Sequence, residues 1–508
     1  MIHKITLLTS GLLCTLIMAA GQSLPMTKTI WGLETSVWRS PANIDAKQLP
    51  ASVDNSKSIS FPPIFTQIGG SCAQASSIGY MFTYEMNALL NRDASLPENR
   101  FSYLYTWNLI NEGKDQGSFK YEGLQIATSN GVVTEADFPA QRYASDFKWA
   151  SGYDVYMRSL HYKGGKFINL EIKDTTSLST IKQYLYNKGV DGSKGGLLTF
   201  SSMATGWKFN TLYSGPSETG YKCLLTKLAW DGAHAMTIVG YDDLVEFTRP
   251  DGKISKGAFI AVNSYGDDYW YHDMGRFYLP YWFFLSEHTS LELSNDLLGI
   301  TPVYVENPMI VFRVAVDYSS RDDLAFKYGL SENCADTAPR HNYRFDIFNH
   351  QGGDFPMQGR GASTYLEFCM DFSQYVDRVN ECETPNWFLT VERAERGTKL
   401  GEGVMRAFEV YDYRQDPNNP IVYKHTDING VKIEKGTNIF NIPSVEPPAT
   451  SFSPLEWLNK SKQPIASPYV FRTADGKYAK VRFSEYDRES GTIKIKYVYA
   501  PSGSTNLE

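Results

Sequence analysis

The sequence has no long run of basic residues. Its 508 residues include 49 Lys and Arg against 56 Asp and Glu, which gives a formal net charge of −7. Proteins that bind nucleic acid present clustered positive charge, so this balance argues against a nucleic-acid partner. Internal repeats and low-complexity segments are also lacking. Because aromatic residues make up 14% of the chain, we expect most of it to fold, with much β structure.

Long hydrophobic runs are absent after the first 21 residues. Lys4 precedes an apolar stretch over residues 5–20, and the small residues Ala19, Ala20 and Gly21 stand at its end. This order is typical of a secretory signal peptide, and the stretch is shorter than the roughly 20 residues that cross a membrane. We therefore expect a cleaved signal peptide over 1–21, a bacterial exported protein (secreted or periplasmic), and no membrane span in the mature chain.

Cysteines are few, and the mature chain has an odd number of them. With Cys14 assigned to the signal peptide, five remain, which are Cys72, Cys223, Cys334, Cys369 and Cys382. In an oxidising compartment an odd count indicates an intermolecular partner or a free reactive thiol. If Cys72 is that thiol, the other four allow three disulfide connectivities or remain as buried thiols, and the sequence leaves both open.

Metal-ligand motifs are absent as well. The eight histidines are scattered, and neither H-E-x-x-H nor a paired C-x-x-C occurs. Structural and catalytic zinc sites need such spacings, so the sequence predicts no metal and no other cofactor.

The hydrophobic pattern changes along the chain. Helical and strand periods mix up to residue 298, whereas short alternating runs broken by Gly, Asn, Asp and Pro follow. Strands are predicted at 310–316, 342–348 and 407–413, and a hairpin at 478–483 and 493–497. The predicted organisation is a short lead at 22–48, an α+β domain at 49–298, an all-β, sandwich-like domain at 299–442, and a Pro-rich linker with a small β module at 443–508.

A cysteine stands at the start of a predicted helix. Gly69 and Gly70 permit a sharp turn, Ser71 is the expected N-cap, and Cys72 follows. Partial positive charge and unpaired N–H groups at this end of a helix lower a thiol pKa, which suits a nucleophile. A buried structural cysteine or half of a disulfide is the alternative. The helix is predicted from apolar residues three and four apart, which are Ile78, Met81, Phe82, Met86 and Leu89.

A histidine and an asparagine occupy the ends of two predicted strands. His234 opens the strand-like run 235–241, and Asn263 follows the apolar run 259–262. A thiol nucleophile needs a base that also protonates the leaving amine, and a third group that orients that base. Taken singly, a core histidine and a turn asparagine are the alternatives.

Together these residues resemble the papain-like (C1-type) cysteine peptidases, over about half of the chain, 49–298. The matching order is Gln67 before Gly-Ser-Cys72, then His234-Ala235 leading to Val-Gly-Tyr, then Asn263-Ser-Tyr-Gly. The distances from Cys72 to His234 and Asn263 exceed the roughly 130–150 residues of the family signature, which a modest insertion explains. The resemblance implies a domain with a helical half and an antiparallel β half.

The resemblance also implies roles. Cys72 would form a thioester acyl-enzyme with a peptide or protein substrate, His234 would act as acid and base, Asn263 would orient the imidazole, and Gln67 would donate to the oxyanion. The residues expected to contact substrate are Gly117, Ser118, Ala233 and Tyr265.

Three positions depart from the family pattern. Gly69 replaces a cysteine, so the family's disulfide beside the active site cannot form, Ala73 replaces an aromatic residue, and Tyr265 replaces a tryptophan. Two other functions stay open. One is a Cys–His acyltransferase, and the other is a weak or inactive scaffold whose β region binds a surface ligand such as a glycan or protein. The intact set of Cys72, His234, Asn263 and Gln67 favours the peptidase.

Overall fold

The computed structural model describes part of the chain and separates two compact units, Met1–Ser444 and Val445–Glu508. The predicted signal peptide and nearly all of the lead lie outside the described residues. The described ranges are 35–37, 49–139, 147–190, 192–268, 273–287, 292–348, 352–382, 384–394, 401–443, 469–472, 478–487 and 492–500.

Most of the helices lie in the first half of the chain. They are α1 (Cys72–Gln74), α2 (Thr83–Leu90), α3 (Tyr103–Ile110), α4 (Lys120–Asn130), α5 (Tyr153–Ser159), α6 (Thr175–Asn187), α7 (Tyr281–Leu285) and α8 (Val376–Asn380). A π-helical segment, Ala75–Phe82, joins α1 to α2.

The strands form four sheets. The first sheet contains β1 (Thr35–Val37), β2 (Ser52–Asp54), β3 (Tyr162–Glu171), β4 (Leu198–Thr205), β5 (Lys208–Asn210), β6 (Leu224–Lys227), β7 (Asp231–Thr248), β8 (Ile254–Val262), β9 (Arg276–Pro280) and β10 (Asp296–Tyr304). The next two contain β11 (Ile310–Tyr318), β12 (Leu324–Ser331), β13 (His341–Phe345), β14 (Tyr365–Asp371), β15 (Asn386–Arg393), β16 (Gly403–Asp412), β17 (Ile421–Lys424) and β18 (Gly436–Pro443). The last contains β19 (Tyr469–Arg472), β20 (Tyr478–Asp487) and β21 (Thr492–Ala500).

A continuous helix, named the core helix, begins at Cys72 and runs through α1, the π-helical segment and α2. Every residue from Ala73 to Asn87 is buried, which is typical of a helix enclosed by the rest of a domain. Four of the five predicted apolar positions lie in the core. Leu89 lies in α2 as the apolar spacing predicted, and its side chain is 52% exposed because the last turn of α2 emerges from the packed interior.

The first sheet places β7 at its centre. The strand order is β1-β3-β10-β4-β7-β8-β9-β6-β5. The short strand β2 lies outside this order and also pairs with β7. Strand β7 pairs antiparallel with β4 and with β8, so His234 near its start and Asn263 just after β8 lie at the same end of neighbouring strands. The fold is therefore mixed α/β, with the core helix packed against a largely antiparallel sheet.

Residues 305–443 form two four-stranded antiparallel sheets, ordered β14-β11-β16-β17 and β13-β12-β15-β18. Aromatic side chains join the two sheets: the ring centroids of Phe312 and Trp387 are 5.8 Å apart, and those of Phe326 and Phe368 are 5.2 Å apart. The expectation of all-β structure is wrong in detail, since α8 lies in this region. The predicted strand 342–348 is also shorter, because a 3₁₀ turn, Asp346–Phe348, ends it.

The predicted boundaries can be placed on this fold. The boundary between residues 298 and 299 falls inside β10, whose residues pair with β3, so the chain leaves the first sheet after Tyr304. The boundary at 442–443 lies within β18, just before the end of the first unit at Ser444. In the second unit the predicted hairpin is confirmed, since β20 and β21 pair antiparallel.

Hydrogen bonds and an ion pair join residues 305–443, the β region, to the α/β part of the first unit. The Asn130 amide donates to the Cys369 carbonyl at 3.2 Å, and Lys163 pairs with the buried Asp371. The hydroxyls of Tyr153 and Tyr413 are 2.8 Å apart. Residues 305–443 are thus packed onto the α/β part rather than attached by a flexible connection.

The cysteines do not form the pairs that the sequence left open. The thiols of Cys72, Cys334, Cys369 and Cys382 are free, and Cys223 is buried just before β6. Burial raises the pKa of the Cys369 thiol well above its ordinary value, and that of Cys223 to about 12. Among the described residues, no helix is long and apolar enough to cross a membrane.

Candidate active site

Two glycines bring the turn before Cys72 close to another loop. Gly69 has a positive φ of 54°, and a Cβ atom on Gly70 would lie 2.7 Å from the carbonyl carbon of Gln116. Only glycine permits that approach. Ser71 lies at the predicted N-cap position, but its side chain does not cap the helix. Its buried hydroxyl makes no hydrogen bond to any described residue, and its carbonyl accepts from the N–H groups of Gln74 and Ala75.

The Cys72 thiol lies against the strand that carries the histidine. Sγ is within hydrogen-bonding reach of the backbone of Ala235, the residue directly after His234. Burial raises the pKa of the Cys72 thiol, while backbone hydrogen bonds with Ala235, Ala73 and its own residue act in the opposite direction. Backbone hydrogen bonds of this kind favour the thiolate form of a cysteine.

Polar side chains on the core helix fix its position against β7 and β8. Ser76 and Thr237 are joined by their hydroxyls at 3.0 Å. The Tyr80 hydroxyl donates to the carbonyl of Asn263 at 3.2 Å. Because these groups follow Cys72 by four and eight residues, they set the helix at one height relative to His234 and Asn263.

The hydrogen bonds around Asn263 determine the state of the histidine ring. Asn263 Oδ1 accepts from the N–H of Ser264 at 2.7 Å and lies 2.8 Å from His234 Nε2. Since Oδ1 is the acceptor in both bonds, Nε2 carries a proton. In the neutral imidazole, Nδ1 is then the unprotonated nitrogen that can act as a base.

The imidazole is shielded from solvent. The ring of Tyr265 stacks on His234 with centroids 4.8 Å apart and an interplanar angle of 17°. The exposed fractions of His234 and Asn263 are 4% and 2%. Burial lowers the pKa of His234 to about 4, and the hydrogen bond to Asn263 opposes this shift. The imidazole is therefore neutral at neutral pH.

The low pKa of His234 predicts a pH-dependent stability. Because the ordinary pKa is near 6.5, the unfolded chain binds a proton as the pH falls toward 4 while the folded chain does not, so the folded state loses up to about 3 kcal/mol over that interval. The melting temperature of the wild type is expected to fall more steeply from pH 7 to pH 4 than that of His234→Gln. Parallel curves for the two proteins would contradict this expectation.

The Gln67 side chain is held in a fixed orientation. Its Oε1 accepts from the Ser264 hydroxyl at 2.6 Å, its backbone N–H donates to the Ser264 carbonyl at 2.8 Å, and its Nε2 donates to the Gly69 carbonyl at 2.9 Å. An amide nitrogen carries two hydrogens, so one N–H remains for another acceptor. Gln67 thus lies between the segment that follows Asn263 and the turn that precedes Cys72.

The predicted substrate-contact residues occupy different surroundings. Gln74, two residues after Cys72, donates from Nε2 to the Ser118 hydroxyl and the Phe119 carbonyl, each at 3.0 Å, which brings Ser118 to the helix start. Gly117 is exposed, with open space where a side chain would be. Ala233 precedes His234 and is half-buried opposite Met203. Tyr265 instead packs on the imidazole.

Several residues of this site were not predicted. Ser264 orients Gln67, whereas the sequence showed it only as part of a motif. Ser76 and Tyr80 position the helix, and their spacing of four and eight residues from Cys72, which places them on the same helix face, was the available signal. Asp115, which accepts from the N–H of Gly70 at 2.6 Å, carried no sequence signal.

The described residues offer no clustered metal ligands near the thiol. They contain no group of three or more His, Cys, Asp or Glu side chains that could hold a metal. The side chains brought together are a thiol, an imidazole and two carboxamides, which supply a nucleophile, a base and hydrogen-bond donors.

Comparison with solved structures finds cysteine proteases over about half of the chain. Xylellain, a cysteine protease from Xylella fastidiosa, is 18% identical with a TM-score of 0.35, covering 50% of this chain and 87% of its own. Procathepsin B S9 from Trypanosoma congolense is 13% identical with a TM-score of 0.36, covering 54% and 84%. Digestive procathepsin L 3 of Tenebrio molitor larval midgut is 16% identical with a TM-score of 0.35, covering 53% and 73%.

Sequence comparisons give no further relatives. No protein-family model and no curated protein matches the chain. The proposed function therefore rests on the geometry of the site.

Proposed function

We propose that the protein is a cysteine peptidase that hydrolyses peptide bonds through a thioester on Cys72. The observation that carries this proposal is the hydrogen bond from the buried His234 imidazole to Asn263. The next residue, Ala235, contacts the Cys72 thiol through its backbone. A nucleophile, a base and an amide that orients the base are together sufficient for acyl transfer.

The reaction begins with the thiol proton. His234 Nδ1 takes the proton from Cys72 as Sγ attacks the scissile carbonyl carbon, which forms a tetrahedral oxyanion. The Cys72 backbone N–H and the remaining N–H of Gln67 donate to that oxyanion. When the C–N bond breaks, the imidazolium gives its proton to the leaving amine, and the acyl group stays on sulfur as a thioester.

Water completes the cycle. His234 takes a proton from water as the water oxygen attacks the thioester carbonyl, and the proton returns to sulfur when the carboxylic acid leaves. The hydrogen bond to Asn263 keeps Nε2 protonated throughout, so that Nδ1 acts as the base in both halves.

Other parts of the proposal concern substrate and location. Gly117, Ser118 and Ala233 would line the path of an extended peptide, because all three lie beside Cys72 or His234 and are at least partly exposed. The first 21 residues would direct export. The pattern of a basic start, an apolar stretch and small residues supports this part.

Covalent labelling tests the proposed function. The gene is expressed from residue 1 in a bacterial host, and the purified protein is treated with a peptidyl epoxide that reacts with activated thiolates. Mass spectrometry is expected to place one adduct on Cys72, and to find none in Cys72→Ala and much less in His234→Ala. The intact mass also reports whether cleavage has occurred after Gly21.

The controls distinguish the alternatives. Cys382→Ala removes another partly exposed thiol and is expected to label like the wild type. An unlabelled, folded wild type would favour the inactive scaffold. A labelled protein that transfers an acyl group to added amines but not to water would favour the acyltransferase.

A further inference from the structure

The loop that carries Gly117 and Ser118 is held from both sides. This cleft loop, residues 111–118, connects α3 to α4 and has no regular secondary structure. On the side of the active site, the Asp115 carboxylate accepts from the N–H of Gly70 at 2.6 Å. Trp107 of α3 donates from its indole N–H to the Gln116 carbonyl at 3.0 Å. The cleft loop is therefore tied to the turn that precedes Cys72.

The β region contacts the opposite side of the cleft loop. A Cβ atom on Gly113 would overlap the ring of Phe355, and one on Gly353 would overlap the Glu112 carbonyl. Such close approach of two loops, more than 200 residues apart in the chain, means that the β region packs directly against the segment leading to Asp115. The site residues Gly117 and Ser118 follow within a few residues.

A buried arginine holds the β-region loop in place. Arg321 is 1% exposed, and its Nε donates to the Gly352 carbonyl at 2.8 Å. Its guanidinium lies 4.3 Å from the ring centroid of Trp149 and 5.7 Å from that of Phe355. Trp149 in turn donates to the carbonyl of Asn108 in α3 at 2.9 Å. Phe355 is thus fixed to the same helix from which the cleft loop begins.

We propose that Asp115 is a positioning residue for the active site, and that the β region, through Phe355, holds the cleft loop so that Gly117 and Ser118 stay aligned with Cys72. This inference rests on the proposed peptidase function. It assigns the β region a part in the substrate cleft, which differs from a separate module for binding a surface ligand.

One charge-assisted hydrogen bond joins the cleft loop to the turn before Cys72. An ionised acceptor makes a stronger bond than a neutral one, and the Gly70 N–H has no helical partner because it precedes α1. Without the carboxylate, the cleft loop keeps its bond to Trp107 but loses its hydrogen bond to the turn before Cys72. Substrate alignment would then suffer, while the thiol and imidazole would remain in place.

Variants at both sides test the proposal by steady-state kinetics on a fluorogenic peptide. Asp115→Ala is expected to lower kcat/KM about tenfold, mainly through KM, and Asp115→Asn to recover most of the loss because its amide oxygen can still accept. Phe355→Ala is expected to raise KM about threefold or more. Tyr343→Ala is the matched control, since it removes a partly exposed aromatic ring of the β region that stacks on Tyr375.

A second measurement is independent of catalysis. Hydrogen exchange of residues 111–118 is expected to accelerate in Asp115→Ala and Phe355→Ala and to stay unchanged in Tyr343→Ala. Alkylation of Cys72 by iodoacetamide is expected to keep its wild-type rate in all three, because the nucleophile itself is untouched. A general loss of folding would change that rate as well.

The outcomes separate the two proposals. A wild type that hydrolyses no peptide would overturn the proposed function, and exchange in the variants would still show whether the β region holds the cleft loop. Unchanged KM and unchanged exchange in both Asp115→Ala and Phe355→Ala, in an active enzyme, would overturn the inference and leave the peptidase assignment intact.

Discussion

Replacing either Cys72 or His234 with alanine is expected to lower kcat for peptide hydrolysis by about 10⁵-fold, and replacing both is expected to cost little more. The two side chains act in one proton transfer, so the loss of either one removes the same step. The structure supports this coupling because the Cys72 thiol is bonded to the backbone of Ala235, next to His234. The measurement is kcat of the two single variants and the double variant on one peptide.

Matched variants control for effects on folding and on other thiols. Cys334→Ala removes an exposed thiol of the β region, and His341→Ala removes a histidine that bonds to Glu332 at 2.8 Å. Both are expected to retain wild-type kcat. Additive losses for Cys72→Ala and His234→Ala would show that the two residues act separately and would contradict the mechanism.

Replacing Gln67 is expected to have the next largest effect. Gln67→Ala removes a side-chain donor to the oxyanion, and a loss of about 10²–10³-fold in kcat is typical for such a donor. KM is expected to change little, because the oxyanion exists only after attack. Gln67→Glu keeps the shape of the side chain and removes the N–H donor, so it is expected to be at least as damaging as Gln67→Ala.

A graded variant tests whether orientation matters. Ser264→Ala removes the 2.6 Å bond to Gln67 Oε1 and leaves the amide itself in place. Its loss in kcat is expected to be smaller than that of Gln67→Ala, and absent in the background of Gln67→Ala. If Ser264→Ala lowers activity equally in both backgrounds, Ser264 acts by a route other than holding Gln67.

The local hydrophobic pattern was sufficient to predict the helix and the strand on which residues of the site lie. The helix from Cys72 was evident from its apolar period, and the strand before Asn263 from a short apolar run. That this helix packs beside this strand was expected only from the resemblance to a family, because a local hydrophobic period does not indicate which strand lies beside which helix. The structure brings Cys72, His234 and Asn263 to one end of the first sheet, as that resemblance implied, while their catalytic roles stay predictions.

Long-range contacts were beyond the reach of sequence reasoning. Asp115 is an exposed acidic residue in a loop, and Phe355 is one aromatic residue among many, so neither has a local pattern that identifies its partner. Ser71 occupies the predicted N-cap position, but its hydroxyl is buried without capping the helix, while its backbone carbonyl accepts from the N–H groups of Gln74 and Ala75. Leu89 is exposed although it belongs to the apolar period that predicted the helix, because that period continues for one turn beyond the buried part of the helix.

The bond between Asp115 and Gly70 has a consequence for the redox conditions in which the site can work. A cysteine nucleophile is lost to oxidation unless reductants keep it as a thiol, and reductants also open accessible disulfides. Here the cleft loop is joined to the turn before Cys72 by a carboxylate and a backbone N–H, with Gly69 in place of a cysteine. Conditions that preserve the nucleophile therefore leave this connection intact.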